Sequence, residues 1–232
     1  MGNTETAVTA LVPMRHHSER VPGKNYRPIA GRPLYAYILE TLLACPSVSQ
    51  VVVDTDSPIL HQGIAERFPS VKLIERPEAL RGGEVAMNAI LEHDLGLVPS
   101  RFFLQTHSTN PLLQASTVER AIEAFLASFP EHDSLFSVTR WRKRLWDAHG
   151  RPVNHDPAIL LRTQDLPPFF EENSCLYLFE HDRFLASHNR LGGSPLLFEI
   201  DANEAVDIDE EQDFRMVEAV LLSQARAASS RP

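Results

Sequence analysis

The chain predicts an α/β fold, a mostly parallel sheet with helices on both faces. Three observations carry this. Short apolar runs of strand length recur, stretches of helical periodicity separate them, and polar residues suited to chemistry follow the strands. Ala10-Leu11-Val12 reads as the first strand, bounded by Pro13. Leu34 to Leu43 reads as a helix, ended by Pro46. Val51-Val52-Val53 is the next strand. Pro58 to Phe68 is the next helix, with Ser57 as its natural N-cap and Pro58 at its first position. Lys72 to Glu75 and Phe102 to Leu104 read as strands, with a helix from Glu84 to Leu95 between them. A helix from Thr117 to Phe129 leads to a strand at Leu135 to Val138. Cys175, Tyr177 and Phe179 alternate as one face of a further strand and read as core. Glu211 to Ala227 is the last helix, and the small, polar tail from Arg226 to Pro232 is expected to fray.

From about residue 140 to 172 the alternation breaks. Trp141, Arg142, Lys143, Arg144 and Trp146 stand among prolines and glycines with little helical period. The segment reads either as an active-site flap or as an arm that packs on a partner chain. A length of 232 residues with 43% hydrophobic content suits one large domain, residues 1–232, carrying this insertion. No apolar run reaches ~18 residues, so no membrane span is expected. The polar start lacks the basic and apolar regions of a signal peptide, so a cytoplasmic protein is expected. Two cysteines make no disulfide framework and no zinc spacing. A net charge of −9 argues against general nucleic-acid binding.

An anionic ligand therefore needs a locally positive pocket. The segment after the first strand carries Arg15, Ser18, Arg20, Gly23, Lys24 and Asn25. Cations and a hydroxyl leaving the carboxyl end of a strand suit a polyanion, because ligands of open α/β sheets bind in that crevice. Arg grips phosphate with two hydrogen bonds, and Lys acts as a mobile point charge. A solvated basic loop is the plainer alternative. The loop is neither a Walker A motif nor G-x-G-x-x-G, since Gly23 is its only glycine.

Two further clusters carry chemistry. In Val206-Asp-Ile-Asp-Glu-Glu-Gln-Asp-Phe214, a strand would place Asp207 and Asp209 on one face with Ile208 in the core. Paired carboxylates meeting a triphosphate suit magnesium. The same acids also suit the positive end of the following helix. In the second cluster, Arg162 has the fork to meet a carboxylate, and Gln164 and Asn173 have amides to read sugar hydroxyls or an acyl amide.

The first loop resembles the signature P-A-R-G-G-S-K-x-(I/L)-x-x-K-N of the CMP-sugar synthetases, the acylneuraminate cytidylyltransferases and their relatives. Pro13, Arg15, Ser18, Lys24 and Asn25 fall on it, while His16-His17 replace the glycine pair and Glu19 replaces a lysine. Ser18 to Lys24 also resembles the S-T-R-L-P-G-K loop of Kdo cytidylyltransferases. Asp207 to Phe214 is similar to the family's D-I-D-T-x-x-D-F. Arg162, Gln164, Pro167, Asn173, Tyr177 and Phe179 match R-x-Q-x-x-P-x-x-(Y/F)-x-x-N-G-x-x-Y-x-F, with Ser174 where glycine is usual. Gln105 with Pro111-Leu112 is similar to L-Q-P-T-S-P-L-R, and Arg76-Pro77 with Leu80 to R-P-x-x-L.

The resemblance implies a Rossmann-like nucleotidyltransferase fold with a dimerisation arm. It implies CTP and an acidic nine-carbon sugar of the sialic, legionaminic or pseudaminic type as substrates, joined as CMP-sugar with release of pyrophosphate. Arg15, Arg20 and Lys24 would neutralise the pyrophosphate, Ser18 would donate to a phosphate oxygen, and Asn25 would read the cytosine edge. Arg76 would approach the base or ribose, and Gln105 would line the nucleotide–sugar junction. Asp207 and Asp209 would hold magnesium. Arg15, Lys24 and Asp209 are the expected catalytic residues, and Arg162, Gln164 and Asn173 the expected sugar contacts. A homodimer is implied, with Arg162 acting across it. A Kdo-type or other nucleotide specificity, or a non-catalytic nucleotide-binding relative, stays open.

Overall fold

A computed structural model describes residues 6–229. The chain forms β1 (Val8–Leu11), a small hairpin of β2 (Pro28–Ile29) and β3 (Arg32–Pro33), α1 (Leu34–Leu43), β4 (Val48–Thr55), α2 (Pro58–Arg67) and β5 (Lys72–Glu75). Next come α3 (Met87–Leu97), β6 (Phe102–Thr106), α4 (Ala115–Ser128), β7 (Ser134–Trp141), β8 (Phe169–Glu180), α5 (His181–Ser187), β9 (Pro195–Glu199) and α6 (Glu211–Ser229). The main sheet has the order β5-β4-β1-β6-β8-β7-β9. Pairings β1–β4, β1–β6, β4–β5 and β7–β9 are parallel. Strand β8 runs antiparallel to both of its neighbours. The fold is thus mixed α/β with a mostly parallel central sheet.

Period-two alternation sorts the strand residues onto two faces. Val8, Ala10, Val51, Val53, Phe102 and Leu104 pack with α1, α2 and α4. Leu11, Val52 and Phe103 point the other way, against Leu91 and Leu95 of α3 and Phe184 of α5. Both faces are covered, which explains why these strands read as continuous apolar runs. A third cluster docks α6, through Phe214, Val217 and Leu221, on the segment holding Val21, Ile29 and Leu34. The Ser57 hydroxyl caps α2, accepting the Leu60 N–H at 3.3 Å. No helix among the described residues is long and apolar enough to cross a membrane.

Several element boundaries differ from the sequence expectation. Helix α3 starts at Met87, since the turn holding Gly82-Gly83 precedes it. Helix α4 starts two residues early, at Ala115. Helix α6 continues to Ser229, past the expected fraying point at Arg226, and residues 230–232 lie outside the described part. The β2–β3 hairpin, α5 and β9 lack the long periodic patterns that predict elements. Strand β9 begins on Pro195 at the sheet edge, where a missing N–H is tolerated.

Between β7 and β8 the chain leaves the sheet as a ribbon, with Thr139 to Trp141 paired to Phe169 to Glu171. The excursion beyond it is tied by Arg142 Nη1 donating to the Gln164 carbonyl at 2.6 Å and by Asn154 Nδ2 donating to the Lys143 carbonyl at 2.7 Å.

Candidate active site

A cleft of about 480 Å³ opens beside the first loop, and Arg15, Lys24, Arg76, Arg190, Asp207 and Asp209 all line it. The loop leaves β1 still paired to β4, with Met14 N–H donating to the Asp54 carbonyl at 2.9 Å. It turns at Gly23, whose φ of 67° and contact with the Tyr26 ring leave no room for a side chain. A short 3₁₀ turn, Lys24–Tyr26, follows. Asn25 is buried and pins this turn. Its Nδ2 donates to the Arg15 carbonyl at 2.8 Å, and its Oδ1 accepts from Ser108 Oγ at 2.7 Å. One donor and one acceptor of the amide are thus used by the protein, and Asn25 still lines the cleft with a second N–H and a second lone pair.

His16 does not line the cleft. Its N–H donates to Asp56 Oδ1 at 2.7 Å, and Nδ1 lies 2.7 Å from Ser57 Oγ. The histidine thus secures the loop to the start of α2. Glu19 is exposed and stands outside the cleft wall, near Gly83.

The two aspartates come from an extended segment that has no strand partner, which corrects the expected strand. The alternation survives because Ile208 is fully buried and its N–H donates to the Thr109 carbonyl at 3.0 Å. Lys24 Nζ donates to the Ile208 carbonyl and stands 3.8 Å from Asp209 Oδ1. Burial pushes the lysine's pKa down, while Asp207 and Asp209 pull it up. Arg20 is exposed at the rim, outside the cleft lining, and pairs with Asp209 at 2.7 Å. Helix α6 is capped by Asp213, which accepts the N–H groups of Asp209 and Glu210 at 3.0 and 2.7 Å. Asp207 keeps one buried oxygen, Oδ1, without a partner, and burial raises its pKa. A carboxylate oxygen of this kind, beside a second carboxylate in an open cleft, fits a hard divalent cation.

Arg76 is buried, and its Nε donates to Asp54 Oδ1. Asp94 of α3 is coupled to Asp54, and burial together with that neighbour raises its pKa to about 8. One shared proton accounts for two buried carboxyl oxygens that lack other partners. His93 completes a cluster whose ligand atoms lie within 4.8 Å of one another, but the Arg76 guanidinium already supplies its positive charge.

Gln105 is wholly buried and does not itself reach the cleft. It holds two residues that do: its Oε1 accepts from Arg190 Nη1, and its Nε2 lies 3.1 Å from His107 Nε2. Burial, with the positive charges of Arg190 and Lys24, pushes the His107 pKa down to about 4.

A family profile described as cytidylyltransferase matches residues 9–230. The chain belongs to the cytidylyltransferase family. It is 26% identical over 225 residues to N-acylneuraminate cytidylyltransferase A of Danio rerio, covering 93% of this chain and 51% of that one. It is 23% identical over 219 residues to post-translational flagellin modification protein B of Campylobacter coli, covering 89% and 92%. The chain thus spans about half the length of the N-acylneuraminate relative. Among solved structures, CMP:2-keto-3-deoxy-manno-octonic acid synthetase complexed with CTP superposes with a TM-score of 0.71 at 16% identity, covering 94% of this chain and 99% of that one. That likeness establishes the fold as the Rossmann-like nucleotidyltransferase type.

Within this member of the cytidylyltransferase family, Arg15, Ser18, Lys24, Asn25, Arg76, Asp207 and Asp209 are brought together in one cleft. Arg162 and Gln164 are not. They lie exposed on the arm, where Arg162 pairs with Asp165 at 2.7 Å. Asn173 also stays out of the cleft. Its side chain accepts from Ser137 Oγ at 2.6 Å and donates to Thr139 Oγ1 at 3.0 Å, bracing the register shift between β7 and β8. Tyr177 departs from the plain core reading, since its buried ring is the floor beneath Arg190. Arg190 and His107 are titratable cleft residues that the sequence did not point to. Arg190 lies in a loop with no periodicity and no recognised motif.

Proposed function

We propose that this protein joins CMP from CTP to an acidic nine-carbon sugar and releases pyrophosphate. The observation that carries the reading is the convergence of Arg15, Lys24, Arg76 and Arg190 with the Asp207–Asp209 pair in one cleft. The anomeric hydroxyl gives up its proton to solvent and attacks the α-phosphorus, the new P–O bond forms, and the bond to the bridging oxygen breaks, so that pyrophosphate leaves with that oxygen. Such transfers rest on positioning and charge stabilisation. Arg15 and Lys24 neutralise the departing pyrophosphate, with Arg20 at the rim, and Ser18 donates to a phosphate oxygen. Asp207 and Asp209 would hold magnesium, which when bound would supply polarisation of the α-phosphate and a lowered pKa of the attacking hydroxyl. Arg76, held by Asp54, faces the nucleotide. On this reading the protein works in the cytoplasm.

The arm is read as a dimer contact. It exposes Leu160, Ile159 and Trp146, with Leu160 86% accessible, and a second copy would cover them. That packing would carry Arg162 and Gln164 toward the neighbouring cleft.

A Kdo-type acceptor is the second reading, favoured by the Ser18-Glu-Arg-Val-Pro-Gly-Lys24 loop. Pyrophosphate release from CTP and magnesium, measured with nonulosonic acids and Kdo, separates the two. The expected result is release with one nine-carbon acid, reduced at least a hundredfold by Asp209→Ala, a loss typical of removing a charge-stabilising group. Release only with Kdo supports the second reading. Silence while CTP still binds by calorimetry favours a binding protein.

A further inference from the structure

The loop after α5 holds a cation that the proposed chemistry has not used. His188, in the left-handed conformation at φ 51°, ends the helix. Asn189 Oδ1 accepts the Leu191 N–H at 3.0 Å, and Arg190 N–H donates to Asn88 Oδ1 of α3 at 3.4 Å. The backbone of Arg190 is therefore tied to a rigid helix. Its guanidinium lies 3.5 Å from the centroid of the Tyr177 ring and donates to Gln105 Oε1. Both contacts orient the fork, and neither neutralises it.

Among the described residues, Arg190 forms no ion pair. Glu172 lies close by but accepts the Tyr177 hydroxyl. Burial pulls the Arg190 pKa down by more than the nearby Glu172 charge and the Tyr177 hydroxyl hold it up, so the half-buried guanidinium is incompletely compensated. The residues around it in the cleft are neutral: His107, uncharged at physiological pH, and Ser174. The phosphate-binding cations lie elsewhere. Arg15 and Lys24 come from the loop after β1, whereas Arg190 stands over β8, on the far side of β6. A triphosphate gripped beside Asp207 and Asp209 leaves Arg190 for a second anion.

We propose that Arg190 binds the carboxylate of the acidic sugar from within the same subunit, and so selects acidic over neutral acceptors. This rests on the reading of the cleft as that of a CMP-sugar synthetase. A stacked, pre-oriented guanidinium suits a planar carboxylate, which it meets with two parallel hydrogen bonds. Gln105 and Tyr177 are the positioning residues that set its plane.

The test uses Arg190→Met and Arg190→Lys, with Arg162→Met for comparison. CTP affinity is measured by calorimetry. Pyrophosphate release is measured with the acid that the wild type accepts and with its carboxamide. A charge-assisted contact is worth tenfold to about a hundredfold. Arg190→Met should raise the KM for the acid by that factor, leave the carboxamide KM unchanged, and keep the Kd for CTP within about twofold. Arg190→Lys should recover part of the loss, and it serves alone if the Met variant does not fold. Weakened CTP binding with an unchanged sugar KM overturns the assignment in favour of the triphosphate. Equal loss on acid and carboxamide makes the role structural. A selective loss in Arg162→Met but not in Arg190→Met moves the contact to the arm of a second copy. Wild-type silence with every acid overturns the CMP-sugar reading, and the Arg190 assignment with it. An active wild type with unaltered Arg190 kinetics overturns the assignment alone.

Discussion

Asp94 is fully buried against Asp54, and its pKa lies near 8 because burial and the neighbouring carboxyl both disfavour its charge. An unfolded aspartate titrates near ~3.9. Between these values the folded chain holds a proton that the unfolded chain has released. By linkage, stability then falls as pH rises through about 4 to 8. Asp94→Asn removes the titration and supplies an N–H to the Asp54 oxygen. The variant should match the wild-type Tm near pH 4 and exceed it by a margin that grows to pH 8.5, in calorimetric scans across that range. Parallel Tm curves for the two proteins would show that the pair does not share a proton. The same pairing holds Arg76 in the cleft, so the residue that sets a pH slope also shapes the cleft wall.

At the scale of elements, the sheet is interrupted where β8 meets the cleft. Ser174 adopts φ 59°, a left-handed conformation, beside the register shift between Phe136 and Val138 of β7. Glycine is usual at this point of the similar family segment, and the backbone now supplies the reason: a side chain there is strained by roughly 1–2 kcal/mol. Ser174 keeps one compensating contact, 3.1 Å from the Tyr177 hydroxyl. Ser174→Gly should therefore stabilise the fold by roughly 0.5–1 kcal/mol after the entropy of glycine is charged against it. That corresponds to a Tm higher by about 1–4 °C. A lower Tm would mean that the hydroxyl contact outweighs the strain. Asn173 belongs to the same device. Its amide looks like a sugar reader in the sequence, and the fold uses it to fill the hydrogen bonds that the bulge leaves open.

For the whole molecule, the arm's apolar surface and the cleft are linked through the proposed dimer. Sedimentation should give a dimer. Leu160→Asp, which charges the most exposed large apolar side chain of the arm, should shift it to monomer and lower turnover at least tenfold with CTP affinity retained. A fully active monomer would detach the arm from catalysis. The sheet, its main helices and seven cleft residues were legible in the sequence. Apolar periodicity and the polar residues that follow each strand are local properties of the chain, carried within one element or loop. The remaining site was not legible, because burial and pairing depend on residues far apart. Arg190 meets Gln105 across 85 positions, and Asp94 meets Asp54 only because α3 lies over β4. The sequence by itself determined the fold class, the cation-bearing loop after β1 and the acidic pair. The tertiary structure alone decided that Asn25 braces the loop while lining the cleft, that Asn173 is committed to the scaffold, that Gln105 acts through its neighbours, and that Arg190 stands in the cleft, since a side chain's free donors are known only once its partners are in place.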